Sequence, residues 1–182
     1  MVYEFLADGF EIVEAMSPVD ILRRADIGIR TVAIDGDSAT SSCFITVKAD
    51  INGCYFDLPD DAEMVVFPGG MPGTTNLMAS ETIKKVLEEV KKRDIYAAAI
   101  CAAPWILDSN GMLDGKQATM YPTMADDCMK NGRFTGEPVE QDGKIITGRG
   151  PGVSITFALK LVEVLKGEKA AQAVKDTLYP NF

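Results

Sequence analysis

The chain has 182 residues, of which 47% are hydrophobic and 25% are charged, a composition typical of a folded globular protein. Its 27 acidic and 18 basic residues give a net charge of -9, which argues against a nucleic-acid partner because such a partner requires a basic surface. No stretch approaches the roughly 18 consecutive apolar residues of a membrane span, and the N-terminal "MVYEFLADG" lacks the basic and apolar regions of a signal peptide. We therefore expect a cytoplasmic protein that binds neither nucleic acid nor membrane.

The residue types available for catalysis are restricted, because the chain contains no histidine. This absence excludes Ser-His-Asp and Cys-His catalysis and every His-ligated metal site. The four cysteines form no CxxC pair, so we expect free thiols and no bound metal. Any nucleophile must therefore be activated by a group other than imidazole.

The N-terminal region predicts a strand followed by a helix. Val2–Ala7 is apolar except for Glu4, for which the pattern offers no explanation. Ser17 and Pro18 predict that the helix begins there, with the serine as N-cap and the proline in the first turn. Glu11 and Glu14 then lie just before this helix, in a turn or short helix that follows the first strand.

The middle of the chain alternates short apolar runs with helical patterns. Arg30–Ile34 predicts a second strand, Cys43–Val47 and Ile51–Phe56 are weaker strand candidates, and Met64–Phe67 is a short, fully apolar strand. An amphipathic helix with Ser80 as its N-cap is predicted by apolar residues at helical spacing, which are Ile83, Val86, Leu87 and Val90.

The C-terminal half continues this alternation. Tyr96–Ile100 predicts a buried strand, and Val139–Gln141 and Lys144–Thr147 flank a "DG" pair that predicts a hairpin. A long helix ending at Gly167 is predicted by the apolar residues Ile155, Ala158, Leu159, Val162 and Leu165. A last helix is predicted over about 168–178.

These alternating elements predict one α/β domain over residues 1–182. Short, uninterrupted apolar strands are typical of a mostly parallel, doubly wound sheet with helices on both faces. Ligands of such sheets bind beyond the carboxyl ends of the strands, where the strand order reverses. Three segments are expected there: "ADGFEIVEA", "PGG" and the residues that follow Ile100.

Cys101 is the first candidate site residue. A free cysteine is most often a buried apolar side chain, and we interpret Cys43, Cys54 and Cys128 as structural, since the sequence assigns them no other role. Cys101, however, stands between a predicted strand and small residues that open a helix, beginning with Ala102. This order is that of a nucleophile elbow, although the residue types differ from G-x-S-x-G.

Two glycine-rich segments are candidates for binding a charged group. In "FPGGMPGTTN", Gly69 and Gly70 allow the backbone N–H groups to approach a ligand, as an oxyanion hole requires, or they form a plain turn. "TGRGPGVS" reads in the same two ways, as an anion-binding loop or a turn, and Arg149 is its one cation.

Glu14 is a candidate partner for the thiol. An acid in this position is usually solvated, but if Glu14 reached Cys101 its charge state would matter. An ionised carboxylate would raise the thiol pKa, whereas a protonated carboxyl could donate a hydrogen bond and lower it. Because burial favours the protonated form, we expect a thiol pKa below the ordinary value of about 8.5.

Four segments together resemble one known superfamily. They are "ADGFEIVEAMSPVDILRRADI", "VVFPGGMPGTTNL", "AAICAAPWIL" and "ITGRGPGVSITFALKLVEVL", and they cover most of the chain in order. The resemblance is to the ThiJ/PfpI superfamily, within it to the branch of the Parkinsonism-associated protein deglycase and its bacterial relatives. It implies a flavodoxin-like α/β fold, usually homodimeric, and no cofactor.

The resemblance also implies site residues. Cys101 matches the reactive cysteine of the superfamily, and Glu14 matches the glutamate that hydrogen-bonds to it. Gly69, Gly70 and Ala102 match the positions whose backbone amides face the thiol.

Two activities are implied. The first is cofactor-independent glyoxalase or deglycase chemistry on reactive aldehydes, such as methylglyoxal and glyoxal, or on glycated protein side chains. The alternative is a cysteine-based oxidative-stress sensor or redox-regulated chaperone with little turnover.

The chain departs from the superfamily at two positions. Tyr121 stands where some members have a histidine, which excludes a proton shuttle through imidazole there but leaves a phenol that can contact substrate. Ile12 replaces the second of two adjacent acids, while the spacing of Glu14 is kept.

Overall fold

The centre of the computed structural model is a seven-stranded sheet, and the structure describes residues 1–179. The strands are β1 (Val2–Leu6), β2 (Ile29–Ala33), β3 (Ser38–Thr40), β4 (Thr46–Lys48), β5 (Ile51–Asn52), β6 (Met64–Phe67), β7 (Tyr96–Ile100), β8 (Gln117–Ala118), β9 (Arg133–Phe134), β10 (Val139–Asp142) and β11 (Ile145–Gly148). The helices are α1 (Ile12–Arg24), α2 (Gly73–Ala79), α3 (Glu81–Arg93), α4 (Pro104–Ser109), α5 (Ala125–Cys128), α6 (Ser154–Lys166) and α7 (Glu168–Thr177), with 3₁₀ turns at Pro122–Met124 and Pro151–Val153.

The strand order of the large sheet is β10-β11-β7-β6-β1-β2-β5. Its neighbouring strands are parallel except for the β10–β11 hairpin, which is antiparallel. From β1 the chain moves outward through β2 to β5, and it then returns to β6 on the opposite side of β1. The strand order therefore reverses between β1 and β6, and the prediction of a doubly wound, mostly parallel α/β sheet is confirmed.

The sheet carries helices on both faces. Helices α1 and α6 pack on one face, where residues such as Leu22 and Phe157 are fully buried against the strands. Helices α3 and α4 cover the opposite face with residues such as Leu87 and Ile106. Both faces of β6 and β7 are thus removed from water, which explains why these strands are uninterrupted apolar runs.

The beginning of the first helix differs from the prediction. Helix α1 begins at Ile12, with Glu11 as its N-cap, and Pro18 lies inside the helix rather than in its first turn. The Glu11 carboxylate accepts a hydrogen bond from the Val13 N–H and so caps the helix. The prediction of Ser17 as the N-cap is therefore wrong. Glu14 consequently lies in the first turn of α1, on a rigid element.

Other predicted elements agree to different degrees. The strands at Met64–Phe67 and Tyr96–Ile100, the Ser80 cap of α3 and the hairpin around "DG" are confirmed. The segment predicted as a strand from Cys43 is wrong at its beginning, because residues 41–45 form the turn between β3 and β4. Helix α2 was not predicted, since its glycine- and threonine-rich sequence has low helix propensity.

Glu4 is fully buried in β1, in register with Thr31 of β2 and Val66 of β6. Neither of its carboxylate oxygens has a hydrogen-bond partner among the described residues. Burial raises its pKa well above the ordinary value, and the positive charge of Arg23 opposes this only in part. Glu4 is therefore a core carboxyl that favours its neutral form.

Within residues 1–179, no helix has the combination of length and apolar composition that crossing a membrane requires.

Candidate active site

Cys101 occupies a sharp turn at the carboxyl end of β7. Its φ angle of 63° lies in the left-handed region, which costs a residue other than glycine about 1–3 kcal/mol. Two backbone hydrogen bonds hold this conformation: the Cys101 N–H donates to the Gly148 carbonyl, and the Tyr121 N–H donates to the Cys101 carbonyl, both at 2.8 Å. The thiol is half-buried, so it is fixed by its backbone while remaining accessible.

Two backbone amides face the Cys101 sulfur. They belong to Gly70, in the loop that follows β6, and to Ala102, the next residue along the chain, and both favour the thiolate by hydrogen bonding. Ala102 is 2% exposed, so its amide lies in a region that water scarcely reaches. This pair of donors has the composition of an oxyanion hole.

The Glu14 carboxyl lies beside the same sulfur and is completely buried. The Gly69 N–H donates a hydrogen bond to Glu14 Oε2 at 2.9 Å. The second oxygen, Oε1, has no hydrogen-bond partner of good geometry within the described chain, whereas the Cys101 thiol lies close enough to the carboxyl to shift its pKa. The carboxyl is therefore held at one oxygen and directed towards the thiol.

The positions of Gly69 and Gly70 require the absence of a side chain. A Cβ atom on Gly69 would lie 2.7 Å from Glu14 Oε2 and 2.8 Å from the Cys101 Cβ. Gly70 has a φ of 91°, and a Cβ there would lie 2.5 Å from the Glu11 nitrogen. Both glycines are thus needed for the loop to reach α1 and the cysteine turn.

Burial dominates the protonation of this pair. It raises the pKa of Glu14 to about 7, although the contacts with Cys101 and with the Gly69 amide act in the opposite direction. The pKa of Cys101 is also raised, by burial first and then by the charge of the Glu14 carboxylate, while the amides of Ala102 and Gly70 lower it.

The expectation of a thiol pKa below the ordinary value is therefore wrong, because burial and the Glu14 carboxylate together outweigh the two amides. The two groups interact closely enough to titrate as a pair, and the first proton lost belongs to the pair rather than to one residue.

Tyr121 contacts the cysteine turn with its backbone N–H and not with its side chain. Its side chain is 42% exposed, and its hydroxyl makes no hydrogen bond to Cys101 or Glu14 in the described part of the chain. Its ring lines an open cavity of about 320 Å³ together with the loop from Arg149 to Val153. The structure thus places Tyr121 beside the cysteine turn, without a hydrogen bond from its hydroxyl to the sulfur.

The "TGRGPG" segment has a role that the sequence reasoning missed. The Gly148 carbonyl accepts the Cys101 N–H, so this loop fixes the cysteine turn. The exposed Arg149 guanidinium donates to the Gly136 carbonyl at 3.1 Å and does not point to a bound anion. The loop reaches Cys101 because β11 pairs with β7. No local sequence pattern indicates which strands are neighbours, so this contact could not be predicted.

The other three cysteines are free and lie apart from this arrangement. Cys128 is buried, in keeping with its interpretation as a structural residue, whereas Cys43 and Cys54 are exposed and contribute no buried packing.

Comparisons with known proteins agree with this geometry. Residues 1–164 match the model of the DJ-1/PfpI family. Parkinson disease protein 7 homolog of Danio rerio is 35% identical over 178 residues, which cover 95% of this chain and 93% of the relative. Glutathione-independent glyoxalase DJ-1 of Schizosaccharomyces pombe is 28% identical over 186 residues, with 96% and 95% covered.

Solved structures give the same result. The oxidized form of Toxoplasma gondii DJ-1 superposes with a TM-score of 0.93 at 31% identity, covering 100% of this chain and 98% of that one. DJ-1beta of Drosophila melanogaster has a TM-score of 0.93 at 32% identity, with the same coverage. The expected flavodoxin-like fold and the resemblance to ThiJ/PfpI proteins are thereby confirmed.

Proposed function

Since the chain belongs to the DJ-1/PfpI family, we propose that it is a cofactor-independent enzyme of glyoxalase or deglycase type. Its substrates are 2-oxoaldehydes such as methylglyoxal and glyoxal, or their early adducts on protein side chains. The observation that carries the proposal is the fully buried Glu14 carboxyl beside the strained, accessible Cys101 thiol, in a chain without histidine. The glyoxalase name of the Schizosaccharomyces pombe relative supports the substrate class.

The shared proton of the pair supplies the nucleophile. With a pKa of about 7, Glu14 holds a proton in a large fraction of molecules at neutral pH. When the pair has lost one proton, the remaining one resides on either the carboxyl or the sulfur. In the form with the proton on Glu14, the amides of Gly70 and Ala102 stabilise the thiolate. This form is the reactive one.

The reaction proceeds through a covalent intermediate. The Cys101 thiolate forms a C–S bond to the aldehyde carbon, and the aldehyde oxygen takes the Glu14 proton to give a hemithioacetal. The Glu14 carboxylate then removes the C–H proton of that carbon, the hydroxyl proton of the hemithioacetal passes to the ketone oxygen, and Glu14 returns the first proton to the former ketone carbon. The aldehyde carbon is thereby oxidised to a thioester and the ketone carbon is reduced to an alcohol, within one molecule. Water hydrolyses the thioester, which releases a 2-hydroxy acid and the free thiol.

The decisive experiment is a lactate assay with methylglyoxal. We expect Cys101→Ser to reduce turnover by about a thousandfold or more, because a serine hydroxyl is a much weaker acid and nucleophile than a thiol, and Glu14 is too weak a base to deprotonate it. Cys43→Ser is the matched control, since that thiol is free and exposed, and it should retain wild-type turnover. Equal lactate production by wild type and Cys101→Ser would exclude the proposal.

A homodimer is part of the proposal, in keeping with the resemblance. It is supported by exposed apolar side chains in α1 and in the turn between β3 and β4: Val13 is 48% exposed, Phe44 90% and Ile45 53%. Burying such side chains against a second copy would remove apolar surface from water. Sedimentation velocity of wild type and Phe44→Ser tests this, since a wild type that sediments as a monomer at micromolar concentration contradicts it.

The alternative function is an oxidation sensor with little turnover. It is favoured by the half-buried thiol with two amides directed at it, which would hold the oxygens of a sulfenic or sulfinic acid. Mass spectrometry after mild peroxide separates the two functions. A sensor requires that Cys101 be oxidised before the more exposed Cys43 and Cys54, whereas uniform oxidation of the accessible thiols contradicts sensing.

A further inference from the structure

A cavity of about 320 Å³ adjoins the cysteine turn and has no role in the steps described above. One wall is formed by Tyr121 and Pro122, and the other by the loop that contains Pro151, Gly152 and Val153. Both walls extend from the backbone segments that hydrogen-bond to Cys101, one at its carbonyl and the other at its N–H. Val153 and Cys101 also pack against the same buried cluster. The cavity therefore lies next to the cysteine turn, on the side of the two segments that hold its backbone.

The size of the cavity exceeds what the smallest 2-oxoaldehydes need. Pockets for drug-sized ligands begin at about 300 Å³, whereas methylglyoxal carries only a methyl group beyond its two carbonyls. A substrate as small as this would leave most of the cavity filled with water. The space is sufficient for a ring or a branched chain.

The walls of the cavity are chiefly apolar. They comprise a tyrosine ring that is 42% exposed, two prolines and a valine. Arg149 is the single cation in the lining, and its guanidinium already donates to the Gly136 carbonyl. The net charge of -9 further disfavours an anionic ligand. The chemistry of the walls thus suits an apolar substituent, which an aromatic ring would bring against the Tyr121 side chain.

We propose that this cavity receives the substituent of the 2-oxoaldehyde, so that the protein prefers aryl and branched-alkyl 2-oxoaldehydes to methylglyoxal. The inference rests on the proposed function and names its substrate class. Gly152 is a suitable position for a test by substitution, because a Cβ atom there would meet nothing within 4 Å. A larger side chain at this exposed position can be placed at the cavity wall without a clash, so Gly152→Phe adds a ring at the cavity mouth and Gly152→Ala is the matched control.

The first experiment compares phenylglyoxal with methylglyoxal, each corrected for the rate with Cys101→Ser. We expect wild type to have at least a fivefold lower KM for phenylglyoxal. In Gly152→Phe, the ratio of kcat/KM for the two substrates should shift at least tenfold towards methylglyoxal, whereas Gly152→Ala should keep the wild-type ratio within about threefold. Gly152→Leu provides a second filled variant if Gly152→Phe does not fold. An unchanged ratio in the filled variants overturns the inference.

The second experiment needs no turnover and so separates this inference from the proposed function. Mandelate and lactate are the stable products expected from phenylglyoxal and methylglyoxal, and their binding is measured by calorimetry. We expect mandelate to bind wild type at least fivefold more tightly than lactate, and Gly152→Phe to abolish the difference. Tight mandelate binding without Cys101-dependent turnover would reject the proposed reaction and keep the cavity assignment. Equal binding of the two acids would reject the cavity assignment.

Discussion

At the scale of single residues, the chemistry depends on one buried acid and one strained thiol. Glu14 has no exposed surface, and its burial raises its pKa to about 7, into the range where a carboxyl both gives and takes protons at neutral pH. Cys101 gains two amide donors and loses water, two effects that act on its pKa in opposite directions. In the proposed reaction this pair takes the place of the imidazole that the chain lacks.

The pH dependence of alkylation reports on this pair. In wild type, Cys101 alkylation by iodoacetamide should increase as the pH rises through about 7, because the first proton leaves the pair there and part of the resulting charge lies on sulfur. In Glu14→Leu, the buried sulfur must ionise alone, so the increase should move to higher pH. The exposed Cys43 serves as an internal control with an unchanged profile. An increase at lower pH in Glu14→Leu would contradict the role assigned to the carboxyl.

At the scale of secondary-structure elements, the site is assembled by the ends of three strands and the first turn of α1. The loop after β6 is the tightest point, because Gly69 faces Glu14 and Cys101 at distances that leave no room for a Cβ atom. Its N–H also anchors the Glu14 carboxyl. The conformation of this loop therefore sets the distance between acid and thiol.

A single methyl group at residue 69 tests this dependence. Gly69→Ala should lower the free energy of unfolding by about 1–3 kcal/mol, as overpacking usually does, and should reduce methylglyoxal turnover at least tenfold by displacing Glu14. Gly152→Ala is the control for adding a methyl group in a loop with free space. Thermal unfolding and the lactate assay measure the two effects, and wild-type values in both would show that the loop tolerates the side chain.

The sequence predicts these elements where the signal is local and fails where it is not. Buried strands such as Met64–Phe67 and the Ser80-capped helix were predicted because period and capping are read from neighbouring residues. The predicted start of α1 is wrong because Ser17 and Pro18 have the residue types that usually begin a helix, although both lie inside α1. The contact of Gly148 with Cys101 depends on which strands are adjacent, and no local pattern reports that.

At the scale of the whole molecule, Glu4 sets a pH limit on stability. Its pKa is raised well above 4.5 in the folded state by complete burial. A carboxyl whose pKa is higher in the folded state than in the unfolded state contributes most to stability below its unfolded pKa. This contribution to the free energy of unfolding is lost as the pH rises through the folded pKa. Stability should thus decline from about pH 4.5 upward as the unfolded chain releases the proton that the folded core retains.

Substitution of Glu4 isolates this effect from that of Glu14. Glu4→Leu should raise the free energy of unfolding at pH 8 by about 2 kcal/mol or more, because a leucine at this position needs no hydrogen-bond partner. Glu4→Gln is the control, since it keeps the polar shape but cannot ionise. Urea unfolding between pH 5 and pH 8 should show a smaller decline with pH for both variants than for wild type, and parallel curves would contradict the assignment.

The reversal of strand order between β1 and β6 has a consequence for the newly made chain. Glu14, the glycine loop and Cys101 lie far apart in sequence and meet only after β6 and β7 have docked beside β1. Until then the thiol and the carboxyl are solvated groups of ordinary acidity. An electrophile should therefore react with all four cysteines alike in nascent or misfolded copies, and should distinguish Cys101 from the other thiols only in completed molecules.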